Sequence, residues 1–362
     1  MKTIPKVTTK FTASNFIQGS FGLFIFVGMK LWRKLLWPFV PFYYVGSLFI
    51  KKMYDWGIFK STTYNFPIIT VGNISAGGTG KSPFVIYLVG LFFKQKKIAV
   101  LSRGYKRKTT GFHFTDVTSN ATDVGDEPLQ LKKKFPEITV AVDADRKNGI
   151  SKLQTNIQPN LIILDDAFQH RKVKAGFQII LTTYYNLYVN DYPLPAGDLR
   201  EPKSAAKRAN CVVVTKCPLN IASQEKQQIL QKLKPQNFQK VYFTGIHYGD
   251  NVIGKTTELN LQEFLQKEFC LVTGIATPKP MLDYLKSKGA RFTHKDFPDH
   301  HNFSFKEIDE LADESLILTT EKDYMRLFSY KKLETKLFYL PIEIKFLGKE
   351  QEFKDTVLQY IN

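Results

Sequence analysis

The stretch from Phe66 to Ser82, FPIITVGNISAGGTGKS, constrains the fold more than any other part of the chain. Its apolar start, over 66–71, predicts a buried strand, and the glycines that follow predict a tight turn before a helix that begins at Lys81. Small residues let backbone N–H groups point at one anion, and a helix N-terminus adds partial positive charge. This order predicts a phosphate-binding turn in which Lys81 reaches the β- and γ-phosphates of a nucleotide and the Ser82 hydroxyl binds Mg²⁺.

The turn departs from the Walker A consensus at one position. The consensus has glycine five residues before Gly80, and Ser75 stands there instead. A plain glycine-rich connection between a strand and a helix is the alternative, but the remaining glycines, the lysine and the serine favour phosphate binding. The predicted nucleotide-binding residues are Ser75, Ala76, Gly77, Gly78, Thr79, Gly80, Lys81 and Ser82.

Strand-like apolar runs alternate with helical patterns from Phe66 to about Ile246. Such alternation predicts an α/β fold with a doubly wound, mostly parallel sheet and helices on both faces. Ligands of such sheets bind at the carboxyl ends of the strands. The predicted strands cover 66–71, 97–102, 138–142, 161–165, 177–182, 211–215 and 240–245, and the predicted helices cover 81–95, 127–134, 145–155 and 222–233.

The length of 362 residues suggests two domains, on a prior of about 150 residues per domain. We expect an N-terminal membrane-interacting segment over 1–60 and a P-loop domain over 61–246. A polar, weakly patterned stretch over 247–268 is expected to be a linker, and a smaller α/β domain is expected over 269–362.

The chain carries a formal net charge of +18, which favours an anionic partner such as acidic lipid or a phosphorylated substrate. The basic residues are scattered and no nucleic-acid-binding signature is present, so nucleic acid is not an expected partner. A generically basic soluble protein remains the alternative. Three cysteines without metal-ligand spacing indicate a reducing cytosolic compartment.

An uncharged, aromatic-rich run extends from Leu35 to Ile50. It is shorter than the about 20 residues of a straight transmembrane helix, and Pro38 and Pro41 are expected to disturb a regular helix. Basic flanks beside such a run favour insertion into one anionic leaflet, and a buried core helix is the alternative. The flanking charges are Lys30, Arg33, Lys34, Lys51 and Lys52.

Three further motifs follow predicted strands or lie in the loops after them: SRGY over 102–105, GDEP over 125–128 and DDAFQHR over 165–171. Acidic residues that end an apolar strand are typical of a Walker B site, whose carboxylate binds Mg²⁺ directly or through water. Asp165 and Asp166 are therefore the predicted metal ligands together with Ser82. An ordinary polar turn is the alternative for this pair.

Two other classes of P-loop protein fit the sequence less well. The run Val212–Lys216 is similar to the base-reading strand end of a GTPase, but Pro218 stands where the guanine-reading aspartate is needed. Partitioning ATPases carry a lysine just before the paired glycines, and here that residue is Ala76.

Seven motifs occur in the order found in the tetraacyldisaccharide 4′-kinases, the lipid A 4′-kinases: NISAGGTGKSP, LSRGY, GDEP, LDDAFQH, PLPAGDLREP, FPDHH and TTEKD. The chain resembles that family over about 29–345, and residues 1–28 lie outside the pattern. The resemblance implies transfer of the γ-phosphate of ATP to the 4′-hydroxyl of a tetraacylated glucosamine disaccharide 1-phosphate, which gives lipid IVA. It also implies a peripheral or monotopic enzyme on the cytoplasmic face of the bacterial inner membrane, with two α/β domains that close over the nucleotide. We expect a monomer.

The resemblance also implies roles for single residues. Lys81 matches the phosphate-binding lysine, Asp126 the candidate general base, and His300 its partner from the second domain, with His301 as a substitute. Ala167 stands where the family usually has glycine, and Ser82 where it usually has threonine. The expected substrate contacts are Arg103, Tyr105, Glu127, His170, Arg171 and Glu201.

Alternatives remain both for the role of Asp126 and for the function of the whole chain. Asp126 could instead cap the helix over 127–134. A membrane-associated P-loop ATPase or GTPase that switches or pumps would account for the phosphate-binding turn and the apolar run, but not for the GDEP and FPDHH motifs. A non-catalytic nucleotide-binding module would lack the Mg²⁺ ligands, and the sequence carries them.

Overall fold

A computed structural model describes Arg33 and residues 35–362 of the chain. Within these residues the strands form two sheets, one of nine strands and one of six. The strands are β1 (Ile68–Gly72), β2 (Ile98–Ser102), β3 (His113–Thr115), β4 (Thr139–Val142), β5 (Leu161–Asp165), β6 (Phe177–Thr183), β7 (Cys211–Thr215), β8 (Lys240–Tyr248), β9 (Asn251–Ile253), β10 (Glu258–Asn260), β11 (Phe269–Thr273), β12 (Phe292–Asp296), β13 (Ile317–Thr320), β14 (Leu337–Leu340) and β15 (Ile342–Phe346).

The first sheet has the order β15-β8-β7-β6-β1-β5-β2-β4-β3, and the second has the order β10-β9-β14-β13-β11-β12. In the first sheet the strands from β8 to β4 run parallel, and β15 and β3 close its two edges antiparallel. The helices are α1 (Val40–Asp55), α2 (Lys81–Phe92), α3 (Ala121–Val124), α4 (Asp126–Lys134), α5 (Arg146–Asn156), α6 (Ser223–Leu233), α7 (Leu261–Leu265), α8 (Lys279–Ser287), α9 (Phe305–Ala312), α10 (Glu321–Leu327) and α11 (Glu350–Ile361).

Helices cover both faces of the first sheet because its central strands are apolar on both sides. On one face, Phe84 and Leu88 of α2 pack against Phe353 of α11. On the other face, Ile150 and Leu153 of α5 pack against the neighbouring strands. Burial of this kind stabilises the fold by about 1.5–3 kcal/mol for each large apolar side chain.

The two sheets share one apolar cluster. Leu129 of α4 and Val142 of β4 belong to the first unit, and they pack together with Val272 of β11 and Met325 and Leu327 of α10 from the second. The second sheet and its helices therefore lie against α4, the helix that begins with the GDEP motif.

The predicted α/β fold is confirmed, and each of the seven predicted strands of the first sheet is present, most within two residues of its predicted ends. The four predicted helices are also present, although α2 ends at Phe92 rather than at residue 95. The short edge strand β3 was not predicted, because a run of three residues is too short to carry a periodic signal.

The structure differs from the sequence interpretation in two ranges. The stretch over 247–268 is not a structureless linker: it contains β9 and β10, which pair within the second sheet, and α7. The stretch over 342–361 returns to the first sheet, where β15 pairs antiparallel with β8 and α11 packs on α2. Pairing between strands so far apart in the chain leaves no local pattern to read.

The expected disturbance of α1 by prolines is also corrected. Pro38 lies in a 3₁₀ turn over Trp37–Phe39, and Pro41 lies at the start of α1, where a missing N–H costs no helical hydrogen bond. In the part of the chain that the structure describes, no helix is both long and apolar enough to cross a membrane. The interpretations of residues 1–28, Lys30 and Lys34 fall outside the described residues.

Candidate active site

The predicted phosphate-binding turn lies between β1 and α2, at the carboxyl end of the first sheet. Gly77 and Gly80 have φ angles of +105° and +85°, which residues with a Cβ rarely adopt. Asn73 Nδ2 donates to Thr79 Oγ1 at 2.8 Å, and Thr215 Oγ1 at the end of β7 donates to the Thr79 carbonyl at 2.8 Å. The surrounding protein therefore fixes the shape of the turn.

The structure explains why Ser75 can replace the consensus glycine. Its backbone pairs antiparallel with Leu199, and the N–H of Ala76 donates to the carbonyl of Asp198 at 2.6 Å. Extended backbone of this kind accommodates any residue. The PLPAGDLREP motif is thus the segment that supports the outer side of the phosphate-binding turn.

Positive charge is concentrated beside the turn. Lys81 Nζ lies 3.6 Å from Asp166 Oδ1, and Arg200 Nη2 lies 3.6 Å from the same oxygen. Arg200 also donates to Asn73 Oδ1. The N-terminus of α2 adds its partial positive charge at this point, so two side-chain cations and a helix end face one region.

Asp165, the last residue of β5, differs from its neighbour Asp166. It is buried, its Oδ2 accepts from Ser102 Oγ at 3.2 Å, and its Oδ1 has no hydrogen-bond partner among the described residues. Burial raises the pKa of this carboxyl, and the nearby negative charges of Glu127 and Asp166 raise it further. Asp165 therefore has one oxygen without a hydrogen-bond partner, and a nearby cation would stabilise its buried negative charge. Asp166 already pairs with Lys81.

A small cavity lies between the N-terminal parts of α2 and α4. It is lined by Ser82, Ser102, Glu127 and Asp165 together with apolar side chains. Across Arg33 and residues 35–362, no three His, Cys, Asp or Glu side chains are grouped so that they could hold a metal ion. The cavity therefore brings together Ser82 and Asp165, two of the three predicted metal ligands, with the side-chain oxygens of Ser102 and Glu127 beside them.

Asp126 is the first residue of α4, and its carboxylate contacts the second unit. His300 Nδ1 lies 2.9 Å from Asp126 Oδ2, and Arg326 Nε donates to Asp126 Oδ1 at 3.0 Å. Arg326 Nη2 donates to Asp126 Oδ2 as well. Gly125 is the N-cap of α4, and within the described residues α4 has no side-chain cap. The capping alternative for Asp126 is therefore wrong.

These contacts keep Asp126 ionised although it is buried. Burial alone would raise its pKa, but the hydrogen bonds from His300 and Arg326, together with the positive charge of Arg326, lower the pKa to about 2. His301 is not at this site, because its Nε2 contacts the Glu307 carboxylate at 3.0 Å. The structure therefore places His300 rather than His301 beside Asp126.

Some of the predicted substrate contacts lie near this cluster. The ring of Tyr105 is 58% exposed, and its centroid lies 5.3 Å from that of His300. Glu127 lines the cavity next to Asp126. Arg103 is exposed and follows the last residue of β2. His170 is half-buried, and burial followed by the charge of nearby Arg146 lowers its pKa.

The other two predicted substrate contacts are engaged elsewhere. Arg171 Nη2 pairs with Asp55 at 2.7 Å, and its guanidinium lies over the Tyr54 ring, so it holds α1 against the first unit. Glu201 Oε2 pairs with Arg208 at 2.9 Å. Neither pairing was predictable from the sequence, because each partner is chosen by the fold.

Four residues of the site were not predicted: Asn73, Arg200, Lys322 and Arg326. Arg200 lies in the PLPAGDLREP motif, and Lys322 lies in the TTEKD motif. The motifs therefore indicated the positions of these two residues but not their roles. Lys322 Nζ lies 2.9 Å from His300 Nε2. Arg326 follows Lys322 by one helical turn, and this spacing was the available signal.

Strand β1, the glycine-rich turn and Lys81, with an acidic strand end one strand away, define a P-loop nucleoside-triphosphate-binding protein with a second α/β unit. Its sequence places it more narrowly. The chain belongs to the tetraacyldisaccharide-1-P 4′-kinase (LpxK) family, whose model matches residues 32–362.

The sequence similarity to known relatives extends over almost the whole chain. The tetraacyldisaccharide 4′-kinase of Flavobacterium johnsoniae is 46% identical over 337 residues, which cover 92% of this chain and 98% of the relative. That of Phocaeicola vulgatus is 39% identical and covers 91% and 95%. A crystal structure of LpxK from Aquifex aeolicus, described as in complex with ATP, superposes with a TM-score of 0.74 at 29% identity and covers 91% of this chain and 99% of that one.

Proposed function

We propose that the chain transfers the γ-phosphate of ATP to the 4′-hydroxyl of tetraacyldisaccharide 1-phosphate, as the names of its family and relatives describe. The product is lipid IVA, an intermediate of lipid A biosynthesis. ATP as the donor is supported by the Aquifex aeolicus neighbour, whose description names it. The position of α4 supports the same assignment independently.

The first turn of α4 carries this proposal. Glu127 lines the cavity that contains Ser82 and Asp165, next to the phosphate-binding turn. Asp126, the preceding residue, faces His300 and Arg326 of the second unit. Consecutive residues of α4 thus face the phosphate-binding turn and the second unit, which would bring a phosphoryl donor and an acceptor hydroxyl close together, as in-line transfer requires.

The residues divide the chemistry between them. Lys81 and the N–H groups of the turn bind the β- and γ-phosphates, and Arg200 adds positive charge beside them. Asp126 takes the proton of the acceptor hydroxyl, and His300 holds the carboxylate in place. General-base assistance of this kind contributes about 10²–10⁴ in rate.

Magnesium is part of the proposal. Ser82 and Asp165 would hold Mg²⁺ beside the phosphates, since Mg²⁺ is typically bound by one or two carboxylates and substrate phosphates, with waters completing the shell. Bound there, the ion would neutralise charge that develops on the transferred group. Oδ1 of each aspartate lacks a hydrogen-bond partner among the described residues. Asp165 is the preferred ligand because Asp166 Oδ1 already lies 3.6 Å from Lys81 Nζ and from Arg200 Nη2.

A membrane surface is the second expected partner. Several apolar side chains of the first helical region face solvent, including Phe42, which is 78% exposed, and Phe49, which is 58% exposed. Arg33 pairs with Asp198 at 2.8 Å, and Tyr43 Oη donates to the Arg200 carbonyl at 2.9 Å. These two contacts hold α1 and the residue before it against the segment that supports the phosphate-binding turn. An interfacial α1 would hold the site at the surface where a lipid substrate resides.

We propose a peripheral or monotopic enzyme on the cytoplasmic face of the bacterial inner membrane, active as a monomer, and the exposed apolar side chains of α1 support the membrane contact. We expect Phe42→Ser with Phe49→Ser to release the protein from anionic vesicles, because each change removes apolar insertion. Phe305→Ser is the matched control, since Phe305 is 85% exposed on the second unit. Co-sedimentation with vesicles measures the effect, and equal binding of all three proteins would argue against α1 as the contact.

The reaction itself is tested with γ-labelled ATP and tetraacyldisaccharide 1-phosphate in mixed micelles. We expect label in a bisphosphorylated lipid with the wild-type chain and none with Lys81→Ala. The exposed Lys267→Ala is the control for loss of one positive charge. Release of labelled phosphate without labelled lipid would instead indicate a P-loop ATPase.

A further inference from the structure

We propose that Lys322 and Arg326 are positioning residues that fix the protonation states of the Asp126–His300 pair: Lys322 selects the imidazole tautomer, and Arg326 keeps the carboxylate ionised. Both side chains come from α10 of the second unit. This inference rests on the proposed role of Asp126 as the general base.

Arg326 holds Asp126 with two hydrogen bonds in a side-on arrangement. Its Nε donates to Oδ1 at 3.0 Å and its Nη2 donates to Oδ2. The third nitrogen, Nη1, donates to Asp323 Oδ1 at 3.1 Å. A guanidinium with its donors fixed in one plane matches a carboxylate in this way, and an ammonium does not.

Asp323 anchors this arginine from behind. It is fully buried, and its Oδ2 accepts from the Gly274 N–H at 2.9 Å and from Thr320 Oγ1 at 2.7 Å. The side chain of Arg326 is only 7% exposed. The guanidinium is therefore rigidly held, and its charge acts on Asp126 with little screening by solvent.

Lys322 determines which nitrogen of His300 carries the proton. Its Nζ lies 2.9 Å from His300 Nε2. An ammonium group can only donate, so Nε2 must accept. Arg326 Nη2, which is also only a donor, lies 3.0 Å from Nδ1, but among the described residues the one acceptor hydrogen-bonded to the ring is Asp126 Oδ2, beside Nδ1. The neutral ring therefore carries its proton on Nδ1. That proton points at Asp126 Oδ2, 2.9 Å away. A proton at Nε2 would face the ammonium directly, so Lys322 disfavours the Nε2–H tautomer.

The backbone of His300 supports the same arrangement. Its φ of +62° is unusual for a residue with a Cβ, and its N–H donates to the carbonyl of Gly274 at 3.2 Å. Such a conformation costs about 1–3 kcal/mol and persists where the surroundings impose it. The ring is thus held by its own backbone, by Asp126 and by Lys322.

The charged groups that face this pair come from three elements. Helix α10 contributes Lys322, Arg326 and, behind the arginine, Asp323; the loop before α9 contributes Asp299, whose Oδ1 lies 3.5 Å from Lys322 Nζ. Helix α4 contributes Glu127, which lines the cavity on the side of Asp165. The cations of α10 therefore dominate the field at Asp126.

The pH dependence of kcat/KM for phosphoryl transfer tests the role of Arg326. Without the guanidinium, burial of Asp126 is no longer opposed, and an opposite charge at this distance lowers an aspartate pKa by about 1–3 units. Added to the Asp126 pKa of about 2, this shift of about 1–3 units predicts that Arg326→Gln loses activity progressively as the pH falls through about 5, while the wild type does not. Arg326→Lys should lie between the two.

Lys134→Gln is the matched control. Lys134 pairs with Glu321 at 3.5 Å across the same contact between α4 and α10, but it does not touch Asp126. It should weaken the interface and leave the shape of the pH profile unchanged. If Lys134→Gln and Arg326→Gln gave the same profile, Arg326 would only hold the two units together and the inference would be overturned.

Nitrogen-15 NMR of histidine-labelled protein tests the role of Lys322 without any assay of activity. We expect the neutral His300 ring of the wild type to carry its proton on Nδ1, and Lys322→Leu to shift the population towards Nε2–H. A wild-type ring protonated at Nε2 would contradict the assignment. Asp126→Asn separates the two hypotheses: full transfer activity in that variant would refute Asp126 as the base, whereas an inactive Asp126→Asn with an unchanged Arg326→Gln profile would refute only this inference.

Discussion

Replacement of Asp126 by asparagine separates the proposed catalytic role of this residue from its structural one. Asparagine keeps the shape of the side chain and removes the charge and the basicity. We expect kcat to fall by about 10²–10⁴, the usual contribution of a general base. ATP affinity should be unchanged, because the nucleotide-binding turn, Lys81 and Ser82 do not contact Asp126.

The structure also predicts a stability cost for this change. Interactions in the folded protein lower the Asp126 pKa from 3.8 to about 2, and this difference corresponds to about 2 kcal/mol of folding free energy. Loss of the carboxylate also leaves the buried guanidinium of Arg326 with one partner fewer, and breaking a buried ion pair typically costs about 3–5 kcal/mol. Asp126→Asn should therefore unfold at lower urea concentration than the wild type.

The double variant Asp126→Asn with Arg326→Gln distinguishes the two effects. It removes both charges of the Asp126–Arg326 pair but leaves the buried Asp323 without its arginine, so we expect it to recover part of the lost unfolding free energy and none of the lost kcat. Urea unfolding and initial rates of lipid phosphorylation are the measurements. Recovery of kcat together with stability would refute the reasoning, because the loss in the single variant would then come from the unpaired arginine and not from a missing base.

Three further predictions concern the same site. Lys81→Ala should abolish transfer and Ser82→Ala should raise the Mg²⁺ concentration needed for half-maximal rate; normal rates in both would mean that the phosphates bind elsewhere. His300→Ala should reduce kcat less than Asp126→Asn, and the variant with both changes should be little worse than Asp126→Asn alone, because residues that act as a unit are non-additive; strictly multiplicative losses in these steady-state rates would show that they act separately. The pKa of Asp126 is lower in the folded protein than in the unfolded chain, so the stability that its carboxylate contributes is complete above pH 3.8 and is lost as the pH falls through about 2. The free energy of urea unfolding of the wild type should therefore fall by about 2 kcal/mol over this range relative to that of the double variant. A constant difference between the two proteins would contradict the lowered pKa.

Local sequence patterns predicted most of the first sheet. Its parallel strands are short apolar runs, and the helices between them have regular amphipathic or apolar spacing, so each element can be recognised without its neighbours. Strand β15 and helix α11 could not be assigned to that sheet in this way. Their position depends on the open edge of β8 and on the apolar surface of α2, which lie about 100 or more residues earlier in the chain.

The parts of the candidate site that lie in recognisable sequence motifs were predictable from the sequence. The turn around Lys81 and the acidic strand end at Asp165 are recognisable from residue types and their order. The partners of long polar side chains were not, because the fold selects among many equivalent candidates. Arg171 pairs with Asp55 instead of facing the site, and Arg326, which no motif contains, forms the side-on pair with Asp126.

The most direct test of the central claim is the position at which the phosphate is attached. The wild-type chain is incubated with γ-labelled ATP and either tetraacyldisaccharide 1-phosphate or its 4′-deoxy analogue, and the labelled lipid is examined by phosphorus NMR and mild acid hydrolysis. The account predicts one new phosphate monoester on the 4′-oxygen of the natural acceptor and no labelled lipid from the 4′-deoxy analogue. Equal labelling of both acceptors, or label at any other oxygen, would contradict it.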